Sequence, residues 1–504
     1  MSASVRTAGI AGVSALAGAL AFLLTRTSLT DDAYITLTYA RNLAVHGEWG
    51  IIPDAASNSA TSPLNVLLLA LGTAITRLFG EAQPIAALGA VTVGATAALG
   101  WAWARLAAAL PFPLPVALLG VAVVVTNPFV LSAIGLEVLL VPAVLAWLAA
   151  ATAERRPVVF GVAAGLALLV RLDLVVFVAV LALVLAAGPC ARGRVRALPA
   201  AAGAAVAVAA PWFVTSWVAF GSAVPDTLVI KQSQDGLFDP WTYATGLGLY
   251  LRSDSAVVLL GLVPAAAGAV ALLAALGMLA ARVVRRVPDE GRPPLGAAVG
   301  LGLGGVAYYL VYIALGVGPY HWYYAPPLTA LAMCGVLALA SAYGARRARA
   351  ALAALVAMAL VVATTAVAEV GRGVPWRSPA IFGNWASAQD YARVGEEIGR
   401  IVGDDVVRSP GEIGTLAYFC ECRIVDAFSD RGRIPELLEA RLADSGSVAS
   451  ALLEVNYLWF DRDREPLTPR YQIRYESGPG DGPRTWTVHS DAKGTGHFSL
   501  VRIG

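Results

Sequence analysis

Long apolar runs separated by short polar stretches fill this chain as far as Val370. Most of the runs approach the roughly 20 apolar residues that an α-helix needs to cross a bilayer. In chain order they are Ala8–Thr25, Pro63–Phe79, Pro84–Ala109, Leu114–Leu131, Leu136–Ala151, Val158–Val170, Leu174–Ala187, Leu198–Phe220, Ala256–Val283, Leu295–Gly318, Ala325–Tyr343 and Leu352–Val370. The pattern predicts a polytopic α-helical membrane protein whose amino-terminal run is retained as the first helix.

Arginine clusters in the short loops predict which side of the membrane each run faces, because Lys and Arg in such loops stay cytoplasmic. The clusters are Arg155-Arg156, Arg192/Arg194/Arg196, Arg282/Arg285/Arg286 and Arg346/Arg347/Arg349. All four clusters can be cytoplasmic only if an even number of membrane-crossing runs separates each cluster from the next. The sequence meets this condition. If Pro63–Phe79 also crossed the membrane, every later arginine cluster would lie on the outer side. We therefore predict about eleven transmembrane helices, with the amino terminus inside, the carboxyl terminus outside and Pro63–Phe79 on or re-entering the outer surface.

The composition fits the same class. Hydrophobic residues make up 58% of the chain and charged residues 14%, with a mean hydropathy of +0.69, whereas soluble domains carry about 25% charged residues. A net charge of +2 argues against a nucleic-acid partner. The four cysteines, Cys190, Cys334, Cys420 and Cys422, show neither a disulfide framework nor a zinc pattern, so Cys420 and Cys422 are predicted to be partly buried thiols.

From about Val374 charges become frequent and the apolar runs shorten. This change divides the chain into a transmembrane domain, residues 1–371, and a small α/β domain, residues 372–504, which is long enough for a core of its own. The predicted helices are Ala388–Ile401 and Pro435–Ala443, and the predicted strands are Val406-Val407, Ile424-Val425, Tyr457–Phe460, Tyr471–Tyr475, Thr485–His489 and Phe498–Ile503. The charge pattern predicts that this domain lies outside the cytoplasm.

Two adjacent acids open the first outer loop, residues 26–82. Asp31 and Asp32 follow the first predicted span, where the chain meets water, and an amphipathic helix is predicted over Ala33–Val45. A membrane protein has no packing reason to keep two acids at this boundary, so both are active-site candidates. The alternative is a solvated loop in which they cap a helix.

Other polar residues at the ends of the predicted spans fall on the same outer face. They are Glu137, Arg171, Asp173, Asp226, Lys231, His321, Tyr323 and Tyr324. Cations bind phosphate, aromatic and polar walls bind a sugar, and a carboxylate can deprotonate a hydroxyl, so the set suits a lipid-phosphate sugar.

Structural explanations remain open for the same residues. Glu137, Arg171 and Asp173 are also explained by an ion pair that avoids unpaired charge near lipid. Lys231 is also explained by contact with lipid head groups. The aromatic residues after His321 are also explained by an interfacial belt.

Several short motifs share the outer location and a fixed order. They are Asp31-Asp32-Ala33-Tyr34-Ile35-Thr36, Tyr39-Ala40-Arg41-Asn42, Gly47–Gly50, Thr61–Leu64, Gly135-Leu136-Glu137, Arg171-Leu172-Asp173, Gly221–Thr227 with Lys231, Gly411–Gly414 and Ile424–Asp426. Together they resemble the GT-C membrane glycosyltransferases, in particular the mycobacterial arabinofuranosyltransferase type. The resemblance covers roughly residues 8–430. Leu172 and Asp226 depart from it, because family members often have Pro and Asn there.

The resemblance implies that an acid at the start of the first outer loop is the catalytic base. Asp31 is the first choice, with Asp32 positioning the acceptor or a metal. It implies that Arg171, Lys231 and His321, with Tyr323 and Tyr324, bind the donor phosphate. The supporting polar residues are Tyr34, Arg41, Glu137, Asp173 and Asp226.

The activity that the resemblance implies is inverting transfer of a sugar, such as arabinofuranose or mannose, from a polyprenyl-phosphate donor. The acceptor would be a cell-envelope glycan or lipid at the outer face of the plasma membrane. No cofactor is certain, and a divalent cation bridging Asp31 and Asp32 stays open. An Ala- and Arg-rich, Lys-poor composition suggests an actinobacterial source. The alternative is a transporter or flippase of lipid-linked sugars, which would need polar residues through the mid-membrane.

Overall fold

The computed structural model describes residues 3–186, 198–234, 236–284, 295–343 and 348–504. Ala187, Cys190, the cluster Arg192/Arg194/Arg196 and the arginines at 285, 286, 346 and 347 lie outside these residues. The helices are α1 Ala3–Thr25, α2 Asp31–His46, α3 Pro63–Arg77, α4 Pro84–Ala109, α5 Leu114–Val125, α6 Pro128–Leu131, α7 Leu140–Glu154, α8 Pro157–Val170, α9 Val175–Ala186, α10 Leu198–Phe220, α11 Thr227–Gln232, α12 Leu247–Ser253, α13 Ser255–Val284, α14 Gly296–Ala314, α15 Ala325–Tyr343, α16 Ala348–Gly371, α17 Ala388–Val402, α18 Gly414–Cys420, α19 Ile434–Asp444 and α20 Ser447–Asn456.

The predicted apolar runs form helices, and most boundaries move by only a few residues. The run Leu114–Leu131 is an exception, because it is divided into α5 and α6. The side chain of Asn127 accepts a hydrogen bond from the backbone N–H of Phe129, and Pro128 occupies the first position of α6. An Asn cap followed by Pro is a strong helix start, so the apolar run is interrupted there.

Among the described residues, seven helices are long and apolar enough to cross a membrane. They are Ser4–Thr25, Pro84–Ala109, Leu198–Phe220, Ser255–Ala281, Gly296–Ala314, His321–Ala342 and Ala348–Gly371. Shorter apolar helices lie at Pro63–Arg77, Leu114–Val125, Leu140–Glu154, Pro157–Val170 and Leu172–Ala186. The count of eleven transmembrane segments stays a prediction.

Helix α3, the run predicted to lie on the surface, has one buried and one exposed apolar face. Val66, Leu69 and Ala70 are buried, whereas the exposed side carries Leu67, Leu71, Ile75, Leu78 and Phe79. Helix α3 packs on α2 and α4. A half-buried apolar helix of 15 residues suits the surface position, which stays a prediction.

The carboxyl-terminal segment contains a five-stranded mixed sheet. Its strands are β1 Val407–Arg408, β2 Ile424–Val425, β3 Tyr471–Ser477, β4 Thr485–Ser490 and β5 Gly494–Arg502, in the order β2-β1-β3-β5-β4. β1 is parallel to β2 and β3, whereas β5 is antiparallel to β3 and β4. The buried face of α17, with Tyr391, Val394 and Ile398, contributes to the core beside this sheet.

Two sequence predictions about this segment are wrong. Tyr457–Phe460 is a turn after α20 and not a strand, because Tyr457 and Phe460 are both buried three residues apart, as in a helical turn. Cys420 and Cys422 form a disulfide and are not free thiols. The pair closes the carboxyl-terminal end of α18.

The core of this segment continues into the first loop. Tyr39 of α2 and Trp49 belong to one buried cluster with Tyr391 and Val394 of α17. The chain after α16 also contacts the end of α1, because the backbone N–H of Trp376 donates to Leu24 O at 2.7 Å. Helix α16 ends at Gly371, and contacts with α1, α2 and the first loop join the segments before and after it. The division into two domains stays a prediction.

Candidate functional site

The first turn of α2 lies between two glycines that both belong to predicted motifs. Gly135 has a φ of +110°, and a Cβ there would lie 2.4 Å from Ala33 Cβ. A Cβ on Gly414 would lie 2.0 Å from the carbonyl oxygen of Asp31. Any side chain at either position would displace α2. The glycines therefore let the turn containing Glu137 and the start of α18 approach the two acids.

Asp31 is buried and fully engaged by α18. Its Oδ1 accepts hydrogen bonds from the backbone N–H and the hydroxyl of Thr415, each at 2.7 Å. Its Oδ2 accepts from the N–H of Gly414 at 3.0 Å. Asp31 thus satisfies donors at the start of a helix, as a capping carboxylate does. Burial and the charge of Asp32 raise the pKa of Asp31 to about 6, against the effect of these hydrogen bonds.

Asp32 differs from its neighbour. It is partly exposed, and its carboxylate has no hydrogen-bond partner among the side chains that the structure describes. Burial raises its pKa, Lys231 lowers it and Glu137 raises it. Its own backbone N–H is the hydrogen-bond donor that acts on this carboxylate. No other described residue donates to the Asp32 carboxylate, so it is available to a ligand.

Arg171 binds two carboxylates at the end of α8. It donates to Glu137 Oε1 at 2.5 Å and to Asp173 Oδ2 at 2.6 Å. Asp173 also accepts from the hydroxyls of Tyr308, at 3.0 Å, and Tyr312. The ion pair considered from the sequence is therefore present. It keeps each charge compensated in a buried setting, where unpaired charge costs several kcal/mol.

Lys231 on α11 lies among three aromatic rings. Its Nζ is 4.2 Å from the ring centre of Tyr320, 5.1 Å from Trp322 and 5.0 Å from Tyr323, and it donates to the Tyr323 hydroxyl at 2.9 Å. No acid of the described chain forms a salt bridge with it. The rings retain the ammonium through cation–π attraction and leave its charge free for an anion.

A cavity of about 940 Å³ brings several of these side chains together. Arg171, Asp173, Lys231 and Tyr323 line it. Apolar residues with exposed side chains also line it, including Leu172, Val175, Leu228, Leu237, Val311, Ile313 and Leu315. The cavity therefore combines cationic and aromatic side chains with apolar ones that are exposed at the molecular surface.

Several predicted site residues are not among the cavity's lining, including Asp31, Asp32, Glu137, His321 and Tyr324. The last two were predicted to bind the donor. The Nε2 atom of His321 lies 3.3 Å from the carbonyl oxygen of Ser132. Tyr324 stacks on Tyr243 with ring centres 4.5 Å apart and donates to its carbonyl oxygen at 2.6 Å. Both are fully buried, and their contacts are those of packing residues.

Two predicted supporting residues of α2 contact the carboxyl-terminal segment. Tyr34 packs its ring against Tyr418 and Phe419 at 5.3 and 5.6 Å between centres. Arg41 donates to Tyr418 O at 2.8 Å and to Glu421 Oε1 at 2.6 Å. Both side chains of α2 therefore attach it to α18.

Asp226 forms a buried ion pair with Arg431. Arg431 Nε donates to Asp226 Oδ2 at 2.8 Å, and the two side chains are 6% and 2% exposed. Further donation from Arg431 reaches Ser222 Oγ at 3.1 Å and Phe220 O at 2.5 Å. The pair joins the end of α10 to the carboxyl-terminal segment.

We expect Arg431→Met to destabilise the protein by about 3–5 kcal/mol, because it leaves the buried carboxyl group of Asp226 without its cationic partner. The apparent Tm of purified protein in detergent measures this loss. Arg393→Met is the matched control, since the Arg393–Asp390 pair at 2.9 Å is partly exposed and surface pairs contribute little. An equal fall of Tm in both variants would contradict an anchoring role for Arg431.

Sequence reasoning missed several residues of the site. Tyr308 and Tyr312 are four residues apart on α14 and share Asp173, a helical spacing visible in the sequence. Glu412 lies in the Gly411–Gly414 motif, which carried no predicted role. Burial and the charges of Asp31 and Asp32 hold the pKa of Glu412 well above its usual range. Within the described residues no group of three or more His, Cys, Asp or Glu side chains is placed to hold a metal.

The sequence matches no protein-family model and no curated protein. Solved structures do resemble the chain. ArnT from Cupriavidus metallidurans in the apo state has a TM-score of 0.55 at 14% identity, over 99% of this chain and 98% of ArnT. The same protein bound to undecaprenyl phosphate has a TM-score of 0.50 at 13% identity, over 97% of each chain.

The arabinofuranosyltransferase AftD from Mycobacteria is also similar, with a TM-score of 0.51 at 15% identity. The match covers 99% of this chain but only 40% of AftD. At these identities the likeness concerns the fold. The chain shares the overall fold of ArnT and AftD, with many apolar helices and a small carboxyl-terminal sheet, as the sequence predicted.

Proposed function

We propose, from the GT-C fold shared with ArnT and AftD, that this chain is an integral-membrane glycosyltransferase that uses a polyprenyl-phosphate sugar. The observation that carries the proposal is the mixed lining of the cavity. Lys231, which has no acidic partner in the described chain, suits a phosphate, and the exposed apolar residues of the lining suit a lipid chain. A polyprenyl-phosphate sugar has both features in one molecule. That ArnT has been solved with undecaprenyl phosphate supports the same ligand class here.

Asp32 is the base in this proposal, and Asp31 supports it. Asp31 already accepts three hydrogen bonds from Gly414 and Thr415, whereas the carboxylate of Asp32 is open. Asp32 removes the proton of the acceptor hydroxyl as the acceptor oxygen attacks the anomeric carbon. The bond from that carbon to the phosphate oxygen breaks, and polyprenyl phosphate leaves with the electron pair. Attack opposite the leaving group inverts the anomeric configuration.

Lys231 stabilises the departing phosphate. Negative charge grows on the bridging oxygen as the bond breaks, so a fixed cation binds the transition state more tightly than the ground state. Arg171 is already neutralised by Glu137 and Asp173. In this proposal Arg171 fixes the Tyr323 ring, whose centre is 5.0 Å from its guanidinium, and Tyr323 in turn positions Lys231.

The donor sugar and acceptor are finer proposals. We propose arabinofuranose first and mannose second, with a cell-envelope glycan or lipid as the acceptor outside the cytoplasm. The partial match to an arabinofuranosyltransferase supports the first choice.

Purified full-length protein in nanodiscs, supplied with synthetic polyprenyl-phosphate sugars and an oligosaccharide acceptor, tests the function. We expect acceptor-dependent release of polyprenyl phosphate and, by NMR, a product of inverted anomeric configuration. Retained configuration would remove the inverting mechanism. If labelled lipid moves between leaflets and no glycosidic product forms, the protein is a flippase and not a glycosyltransferase.

The pH dependence of kcat/KM tests the base. Asp32 must be ionised to act, and its pKa is raised above 3.8, so we expect activity to fall on an acid limb shifted above that value. Because Lys231 lowers the pKa of Asp32, Lys231→Met should move the limb to higher pH in the residual activity. If the acid limb does not move, Lys231 does not affect the pKa of the group whose ionisation limits activity. The shift is read from kcat/KM because that ratio reports the free enzyme.

A further inference from the structure

We propose that helix α20 and the turn after it, residues 447–459, lie in the membrane interface and insert an apolar edge into the lipid of the leaflet next to the end of α10. This inference goes beyond the proposed function and does not depend on turnover. The occupant of the exposed face is the bilayer, and the edge is part of the lipid-facing surface of the protein.

One side of α20 exposes large apolar residues at helical spacing. They are Val448, Leu452, Val455, Leu458 and Trp459, which are 57–74% exposed. The opposite side, with Leu453, Tyr457 and Phe460, packs into a small core with Ile434 and Leu438 of α19. A short amphipathic helix that ends in Trp has the composition of an interfacial helix, because Trp favours the level of the lipid head groups.

The exposed edge continues the outer face of a membrane-spanning helix. Trp217 near the end of α10 donates its indole N–H to Val455 O at 3.0 Å, and its ring centre is 6.4 Å from that of Trp459. Val214 and Val218, also on the last two turns of α10, are 55% and 69% exposed. Helix α10 is among the helices able to cross a membrane, and little of it is buried by the protein. Lipid that covers this face of α10 therefore also meets α20.

Helix α20 connects the proposed membrane contact to the cavity through its neighbour α19. Helix α20 packs on α19, and Arg441 and Asp444 of α19 line the cavity. Val229 and Ile230 of α11, the helix that contains Lys231, pack into the same small core. Insertion of α20 therefore fixes α19 and α11 at the depth of the lipid head groups. A lipid-borne phosphate would meet Lys231 at that depth.

Site-directed spin labelling of full-length protein in nanodiscs of phosphatidylethanolamine and phosphatidylglycerol tests the inference. Leu452→Cys and Glu454→Cys are made in a background in which Cys190 and Cys334 are alanine and the Cys420–Cys422 disulfide is kept. Both positions are exposed, but Glu454 points away from the apolar edge. We expect the label at 452 to collide with oxygen several-fold more than with a water-soluble nickel chelate, and the label at 454 to show the reverse.

Other outcomes would overturn the inference. A label at 452 that favours the nickel chelate would place the edge in water. A label at 452 shielded from both relaxants would place it against protein, such as a second copy. Because the readout requires no substrate, failure of the glycosyltransferase assay leaves this test intact, and failure of this test leaves that assay intact. Val448→Cys is a second labelling position in case the variant at 452 does not fold.

Discussion

Asp32→Asn is expected to lower kcat by about 10²–10⁴-fold, the usual contribution of a general base, while the folded protein still binds donor. Asparagine keeps the size of the side chain but cannot take a proton from the acceptor hydroxyl. Donor binding should persist, because Lys231 and the apolar residues of the cavity are unchanged. Turnover of a polyprenyl-phosphate sugar and equilibrium binding of polyprenyl phosphate, measured on the same preparation in nanodiscs, separate the two effects.

The matched control is Asp31→Asn, which changes the adjacent acid in the same way. An asparagine amide turns at least one donor toward Gly414 or Thr415, where Asp31 now accepts three hydrogen bonds. We therefore expect Asp31→Asn to lower the apparent Tm and to reduce turnover of the folded fraction much less than Asp32→Asn does. The reverse result, a stable Asp31→Asn protein without turnover beside an active Asp32→Asn protein, would restore Asp31 as the base.

The choice between these acids shows where sequence reasoning ends. Their position after the first span identified both as candidates, because charge is costly near lipid. What distinguishes them is a contact between Asp31 and Thr415, 384 residues apart in the chain. No local pattern encodes such a contact. Asp226 is a similar case, since its partner Arg431 lies 205 residues away.

The transmembrane helices were the easiest part to predict. A lipid-facing helix has to be apolar over its whole length, so the signal is strong and nearly independent of tertiary contacts. The carboxyl-terminal segment was harder, because short strands depend on their neighbours. Tyr-Leu-Trp-Phe at 457–460 has strand-forming side chains, but the packing of Tyr457 and Phe460 beneath α19 makes it a turn.

The residues predicted to bind the donor occupy two different environments. Lys231 and Tyr323 contact each other and line the cavity, whereas His321 and Tyr324 from the same aromatic run are packed away from it. The run Tyr320–Tyr324 has an obvious composition, but a short 3₁₀ turn over His321–Tyr323 sets which rings face Lys231. Side-chain direction in such a turn cannot be read from composition.

Lys231→Met is expected to lower kcat/KM by about 10²–10³-fold, the usual effect of removing one group that stabilises developing negative charge. Methionine fills the same space among the rings of Tyr320, Trp322 and Tyr323 and removes only the charge. Because the interaction strengthens as the phosphate departs, we expect kcat to fall more than KM rises. Turnover against donor concentration in nanodiscs measures both.

Lys493→Met is the control, because Lys493 is the only other lysine in the chain, is exposed and is absent from the cavity. It should leave kcat and KM close to their original values.

Lys231→Arg adds a second comparison, since arginine keeps the charge but is a planar fork, larger than an ammonium. The ring centres are only 4.2–5.1 Å from Nζ. The larger guanidinium therefore either displaces the aromatic side chains or lies outside the space between them. An arginine variant with full activity would mean that charge alone matters at this position; a deficit close to that of Lys231→Met would mean that the three rings select the compact ammonium and thereby fix where the phosphate binds.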